Sequence, residues 1–304
     1  MTNILVTGGA GFIGSHIVNS LVEKGAQIIV LDNLKTGLIK NINNKVDFIE
    51  GDIQDEKLVD KILDNCDTIY HLAAFTSVPE SFTNKKECIS INEIAFKNIL
   101  SVAAVKNVKK IIFSSSSAVY PDDSLGPFNE QSKVAPSSPY GKSKLYGESL
   151  LKQWCKENGD RVGTALRYFN VYGPRQEADS DYASVIPKFM SRIRNDEPIA
   201  IYGDGSQTRD YIYVSDIVTA NLKGLESLGF NKYAVGTGVE YSVNKLVDEI
   251  LKLTNKKVKI SSKPLPKGDA LRSSADSSVL KETGWNSEIG IKKGLASTWK
   301  YFNN

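Results

Sequence analysis

Three cysteines and two histidines in 304 residues leave little from which to build a metal centre or a disulfide framework. Cys66, Cys88 and Cys155 are scattered, and neither His16 nor His71 stands at ligand spacing from them. Buried free thiols and no metal site are expected. Net charge is scarce as well. At +3 for the whole chain, with lysines interspersed among acidic residues, there is no nucleic-acid surface, only a weak pull toward small anions. No stretch approaches the ~20 apolar residues that span a bilayer. The opening MTNILVTGGAGFIG has neither a basic leader nor a small-residue cleavage site. The expectation is a cytoplasmic protein without nucleic-acid or membrane partners.

With 41% hydrophobic and 24% charged residues, the chain can bury a sizeable core. Short apolar runs alternate with amphipathic segments. NILVT leads to a helix over 12–24, then come QIIVL, VDFIE, a helix near 57–63, TIYHLA, a helix over 89–105 and KKIIFSS. That rhythm predicts an α/β fold, a doubly wound parallel sheet of Rossmann type with helices on both faces. Residues 121–139, rich in Pro, Ser and Asp, read as a long surface loop before a helix starting near Tyr140. After a strand at about 164–169 the pattern weakens, broken by Pro174, Pro187, Pro198 and the turn GDGSQ. The division expected is a dinucleotide-binding domain over most of 1–169 and a smaller mixed α/β substrate-binding lobe over most of 170–304, with elements exchanged around 210–240.

The segment TGGAGFIG places Gly8, Gly11 and Gly14 between a strand and a helix, where small residues let the backbone approach a pyrophosphate. The second strand ends at Asp32, whose carboxylate suits the adenosine ribose hydroxyls and repels a 2′-phosphate, so NAD is expected rather than NADP. Asp52, in EGDI, suits either the adenine amino group or the N-cap of the following helix. Leu72, Ala73 and Ala74 end the fourth strand with little bulk, and His71 before them reads as structural. Tyr140 and Lys144, four apart, share one helix face. The ammonium beside the phenol, with a positive nicotinamide, is expected to lower the tyrosine pKa and make it a general base.

Together with FSSSSAVYP, YGKSK, LRYFNVYGPRQ and GDGSQTRDYIYVSDI, these segments resemble the extended short-chain dehydrogenase/reductases of the NAD-dependent epimerase/dehydratase family, nearest its UDP-glucose 4-epimerase branch. The resemblance covers nearly the whole chain. It implies a homodimer formed through helices 89–105 and 140–157, and a UDP-sugar substrate inverted at C4. Ser116, Tyr140 and Lys144 would be catalytic, with Ser116 on the sugar O4 and Lys144 also on the nicotinamide ribose. The implied cofactor site adds Phe12, Ile13, Asn33, Ile53, Thr76 and Ser114, with Tyr168 and Phe169 lining the nicotinamide. The implied substrate site comprises Asn170, Val185, Tyr202, Arg209, Lys267, Asp269, Arg272 and Ser273. Arg209 would clamp the diphosphate, unless it forms an ion pair with Asp210 or Asp216.

Some positions depart from the family pattern. Ser117 and Ala118 follow Ser116 where dehydratase relatives carry an acid or amide, which argues against 4,6-dehydration. Pro266 stands where an arginine is usual, leaving Lys267 or Arg272 to supply that charge. Ser273 stands where the resembled epimerases carry a residue that limits room at the sugar C2 substituent, and its small size there implies that N-acetylated sugars are admitted as well as plain hexoses; the basic run 252–263 reads as a solvated face. The alternatives are a UDP-glucuronate 4-epimerase, another sugar-nucleotide dehydratase or reductase, or a non-catalytic NAD-binding regulator. An intact Ser116, Tyr140 and Lys144 speaks against the last.

Overall fold

Apolar and β-branched runs become strands, and the amphipathic stretches between them become crossover helices. A computed structural model describes residues 3–179, 183–264 and 271–303. In chain order its strands are β1 (Asn3–Thr7), β2 (Gln27–Asp32), β3 (Asp47–Glu50), β4 (Thr68–His71), β5 (Lys110–Ser116), β6 (Val162–Tyr168), β7 (Asn170–Tyr172), β8 (Ile199–Tyr202), β9 (Thr208–Tyr213), β10 (Gly229–Val235), β11 (Glu240–Ser242), β12 (Ile260–Lys263) and β13 (Arg272–Ser273). The helices are α1 (Phe12–Glu23), α2 (Glu56–Leu63), α3 (Val78–Thr83), α4 (Lys85–Ile89), α5 (Ala95–Val105), α6 (Pro139–Lys156), α7 (Val185–Arg194), α8 (Val214–Lys223), α9 (Val243–Thr254), α10 (Ser278–Glu282) and α11 (Ile291–Asn303).

The expected Rossmann-type sheet is present. Seven strands run in the order β10-β6-β5-β4-β1-β2-β3, and the pairings among β1 to β6 are all parallel. The order reverses between β1 and β4, the place where such sheets receive a dinucleotide at the strands' carboxyl ends. By internal contacts the chain forms two compact units. The first comprises Met1–Val119, Val134–Tyr168 and Val218–Tyr233, and the second Tyr120–Lys133, Phe169–Ile217 and Ala234–Asn304. Leu5, Leu31, Ile69, Phe96, Ile99, Ile111 and Ala165 are among the core side chains of the first unit, each 0–1% exposed. The second unit packs α7, α9 and α11 around Met190, Ile193, Ile199, Leu246 and Ile250, all fully buried. Its β11, β9 and β13 make a small sheet to which β7 also pairs.

One sequence expectation needs correction. α4, a π turn over Ser90–Ile94, and α5 join into a continuous helix, Lys85–Val105, long and apolar enough by composition to cross a bilayer. Cys88, Asn92, Ala95, Phe96, Ile99, Leu100 and Ala103 on this helix are buried in the core.

Candidate functional site

The glycine loop after β1 is built for close backbone approach. Gly8 adopts φ +72°, which a side chain disfavours, and a Cβ there would meet the Ala73 nitrogen at 2.6 Å. A Cβ on Gly14 would meet the Gly8 carbonyl oxygen at 2.2 Å, so α1 lies directly on the loop. α1 begins after Gly11, with no side-chain cap and no acidic residue in its first turn. Because its first helical bond runs from Ser15 N to Gly11 O, the N–H groups of Phe12, Ile13 and Gly14 precede it, at the positive end of the helix dipole. These features fit a dinucleotide pyrophosphate.

Asp32 ends β2 as expected, 7% exposed, and accepts from Ala10 N and Leu34 N, each at 2.9 Å. It therefore shapes the loop with one lone pair on each oxygen and leaves the others for a ligand. Asp52 is not a helix cap. Asp55 caps α2, accepting from the Lys57 and Leu58 N–H groups. Asp52 instead accepts from Gln54 N at 2.9 Å and from Asn33 Nδ2 at 2.7 Å. Partial burial pushes its pKa up, but those bonds outweigh it and hold the carboxyl below its usual value. Ile53 is buried beside it and Thr76 is exposed. Leu72 N and Ala73 N donate to Thr7 Oγ1, which fixes the end of β4 next to the glycine loop.

Ser116, Tyr140 and Lys144 come together in the first unit. The Ser116 side chain acts on the Tyr140 phenol, favouring its ionised form, and Ser116 Oγ accepts from Ala118 N at 3.2 Å. Lys144 is buried, with Nζ 5.7 Å from the Tyr140 ring centroid and donating to Ser114 O at 2.8 Å. Ser138 caps α6, accepting from Gly141 N, and Pro139 follows at its first turn, which fixes where Tyr140 enters the helix. The expected lowering of the Tyr140 pKa is not achieved by the protein's own groups. Burial raises it to about 12, against which Ser116 works downward. Lys144 is pushed down to about 8, chiefly by burial. Phenolate formation near neutrality thus calls for a positive charge beyond Lys144.

His71 is structural in its surroundings. It stacks on Phe96 with centroids 4.6 Å apart, and its Nδ1 lies 2.9 Å from Thr7 Oγ1. Burial, reinforced by Lys144, pushes its pKa down to about 3. Tyr168, expected at the nicotinamide, is buried, and its hydroxyl donates to Asn221 Oδ1 at 2.9 Å.

Of the residues expected on the substrate side, Lys267 and Asp269 lie outside the described residues, as does Pro266. The others of that group belong to the second unit, as does Phe169, which is 3% exposed. Asn170 donates to Asp210 O at 3.1 Å, and Arg209 to Thr208 O at 2.8 Å. Ser273 pairs with Arg209 in the β13–β9 register. Val185 opens α7, and Tyr202, 42% exposed, ends β8. Arg272, about half exposed, donates from Nε to both carboxylate oxygens of Glu240, at 2.7 and 2.8 Å. Asp210 is no surface partner for Arg209. It is fully buried and accepts from Thr237 N, Thr237 Oγ1, Gly238 N and Ala275 N.

Sequence reasoning missed Asn92. In the π turn its Oδ1 accepts from Phe75 N at 2.8 Å, while Nδ2 donates to Phe75 O and Ser143 Oγ, both at 3.0 Å. Ser143 Oγ in turn donates to Tyr140 O at 2.8 Å. One side chain thus ties the loop after β4 to the start of α6. Only the i+4 spacing of Cys88 and Asn92 within an apolar helix hinted at it.

A family model described as the NAD dependent epimerase/dehydratase family matches residues 4–236. A crystal structure of UDP-glucose 4-epimerase with UDP-glucose from Thermotoga maritima is 38% identical, with a TM-score of 0.95 over 99% of this chain and 98% of that one. A UDP-N-acetylglucosamine 4-epimerase from Methanobrevibacter ruminantium M1, in complex with UDP-N-acetylmuramic acid, has the same 38% identity, TM-score of 0.95 and coverage of 99% and 98%. The UDP-glucose 4-epimerase of Lactobacillus helveticus is 34% identical over 98% of this chain and 96% of its own.

Proposed function

Because this chain belongs to the NAD-dependent epimerase/dehydratase family and has NAD as its cofactor, we propose that it is a UDP-sugar 4-epimerase interconverting UDP-glucose and UDP-galactose through a transient 4-keto sugar. The observation that carries this reading is Lys144, buried one turn along α6 from Tyr140 with its Nζ 5.7 Å from the phenol ring and anchored on Ser114 O two residues before Ser116 on β5. The small C2-side residue Ser273 extends the proposal to UDP-GlcNAc and UDP-GalNAc.

The first unit is assigned to NAD and the second to the nucleotide sugar. Gly8, Gly11 and the first turn of α1 would hold the pyrophosphate, Asp32 the adenosine ribose, and Asp52 with Asn33 the adenine side. Bound NAD supplies a hydride acceptor and a positive charge at its nicotinamide. Ser116 orients the sugar O4, and Tyr140 Oη takes the O4 proton and returns it once the sugar has turned. Lys144, as a cation, favours the phenolate. Asn170 and Arg209 are assigned to the diphosphate, which must stay held while the hexose turns. Three buried, free cysteines accord with a cytoplasmic setting.

The test is incubation of purified protein with UDP-galactose, following UDP-glucose, with Tyr140→Phe as control. Conversion that falls about a hundredfold or more in the variant supports the assignment. Absence of product from both UDP-galactose and UDP-GalNAc, with NAD added, overturns it.

A further inference from the structure

α6 is seated tightly on the strand that carries Ser116. A Cβ on Gly141 would meet the Ala118 carbonyl oxygen at 2.2 Å, and one on Gly147 would meet the Phe113 ring at 2.4 Å. These contacts set how near the helix lies to β5. Non-directional packing alone leaves its position along the strand to be fixed by something with geometry.

Glu148 has that geometry. It is 4% exposed and sits beside Gly147. Its Oε1 accepts from Ser115 Oγ at 2.5 Å and from Arg167 Nε at 2.8 Å, while Oε2 accepts from Arg167 Nη2 at 2.6 Å. Arg167 is 1% exposed and Ser115 2%. Ser115 and Arg167 are direct partners in the β5–β6 register, so both side chains stand on the same face of the sheet. The next residue along β5 is Ser116, and one turn and two turns back from Glu148 along α6 are Lys144 and Tyr140. A bidentate guanidinium–carboxylate fork fixes direction as well as distance, whereas a buried ion pair is by itself a weak source of stability.

We propose that the buried Glu148–Arg167 pair, with Ser115, is a positioning device that sets where α6 rests along β5 and thereby where Tyr140 and Lys144 stand relative to the Ser116 end of that strand. Through it, three elements of one unit, β5, β6 and α6, share a single polar joint directly behind the reacting groups. The proposal draws on the function above only for its kinetic readout.

Its test replaces the pair by apolar side chains of similar length, Glu148→Leu with Arg167→Met, which removes direction without leaving a charge buried alone. The double variant is expected to remain folded by circular dichroism, to keep its KM within about twofold, and to lose about tenfold to a hundredfold in kcat. Arg167→Lys, which keeps the charge but not the fork, is expected to fall between. Tyrosine-selective 13C labelling, with Tyr140→Phe assigning the resonance, is expected to show the Tyr140 signal displaced in the double variant. A folded double variant with unchanged kcat and an unmoved Tyr140 resonance overturns the proposal. If the wild type converts no UDP-sugar, the functional reading fails, and the resonance still decides the positioning role. Should the double variant not fold, Ser115→Ala, which removes one bond and no charge, is read the same way, and unchanged kcat and resonance there overturn it.

Discussion

Burial decides the electrostatics of His71, Tyr140 and Lys144 before any partner does. His71 is pushed down to about 3, by burial first and by Lys144 second. The imidazole of an unfolded chain titrates near 6.5. As pH falls from 6.5 toward 3, the unfolded chain therefore takes up a proton that the folded protein does not, and stability drops over that window; above 6.5 the group contributes no pH dependence. His71→Leu is expected to flatten the decline of Tm between pH 6.5 and 4 relative to the wild type, by an amount on the order of a few kcal/mol across the full window. Parallel Tm profiles for the two proteins would show that His71 is not the group responsible. In the glycine loop, Gly14→Ala places a methyl 2.2 Å from the Gly8 carbonyl oxygen. It is expected to cost about 1–3 kcal/mol of stability and to abolish retention of NAD through gel filtration. Retained NAD would mean that the loop gives way more easily than its contacts imply.

The elements differ in how readily they could be read in advance. β1, the glycine loop and α1 follow from local sequence, since Gly8, Gly14 and Asp32 act within about 20 residues of one another, as their fold type requires. Tyr140 and Lys144 are legible for the same reason, being one turn apart on α6. Asn92 was not legible, because its role depends on a π turn that sequence periodicity does not announce, and its partners Phe75 and Ser143 lie 17 and 51 residues away. Glu148 and Arg167 look like surface charges until the helix is placed on the sheet. The composition of 120–133 reads only as a loop, and nothing in it assigns the segment to the second unit. Asn92→Ala removes the acceptor for Phe75 N and the donor to Ser143. It is expected to cost about 1–3 kcal/mol, the usual penalty for leaving buried polar groups unsatisfied, and to lower kcat more than it raises KM. A change confined to KM would assign Asn92 to ligand contact instead.

For the whole molecule, we propose a homodimer through the helices Lys85–Val105 and α6. The first of these leaves Ile94 54% and Val105 81% exposed, and α6 leaves Tyr146 42% exposed, apolar side chains that a partner helix would cover. Sedimentation of the wild type is expected to give a dimer, and Ile94→Glu with Val105→Glu a folded monomer. A wild type that sediments as a monomer, or a double variant that stays dimeric, removes this seam from consideration.

The central claim, that a C4 hydride leaves the sugar and returns to it within one site, is tested most directly with UDP-galactose carrying deuterium at C4. The enzyme is expected to yield UDP-glucose with the deuterium still at C4 and no free reduced cofactor in solution. Product that has lost the label, or label recovered in free reduced nicotinamide, would contradict epimerisation and identify a net redox reaction.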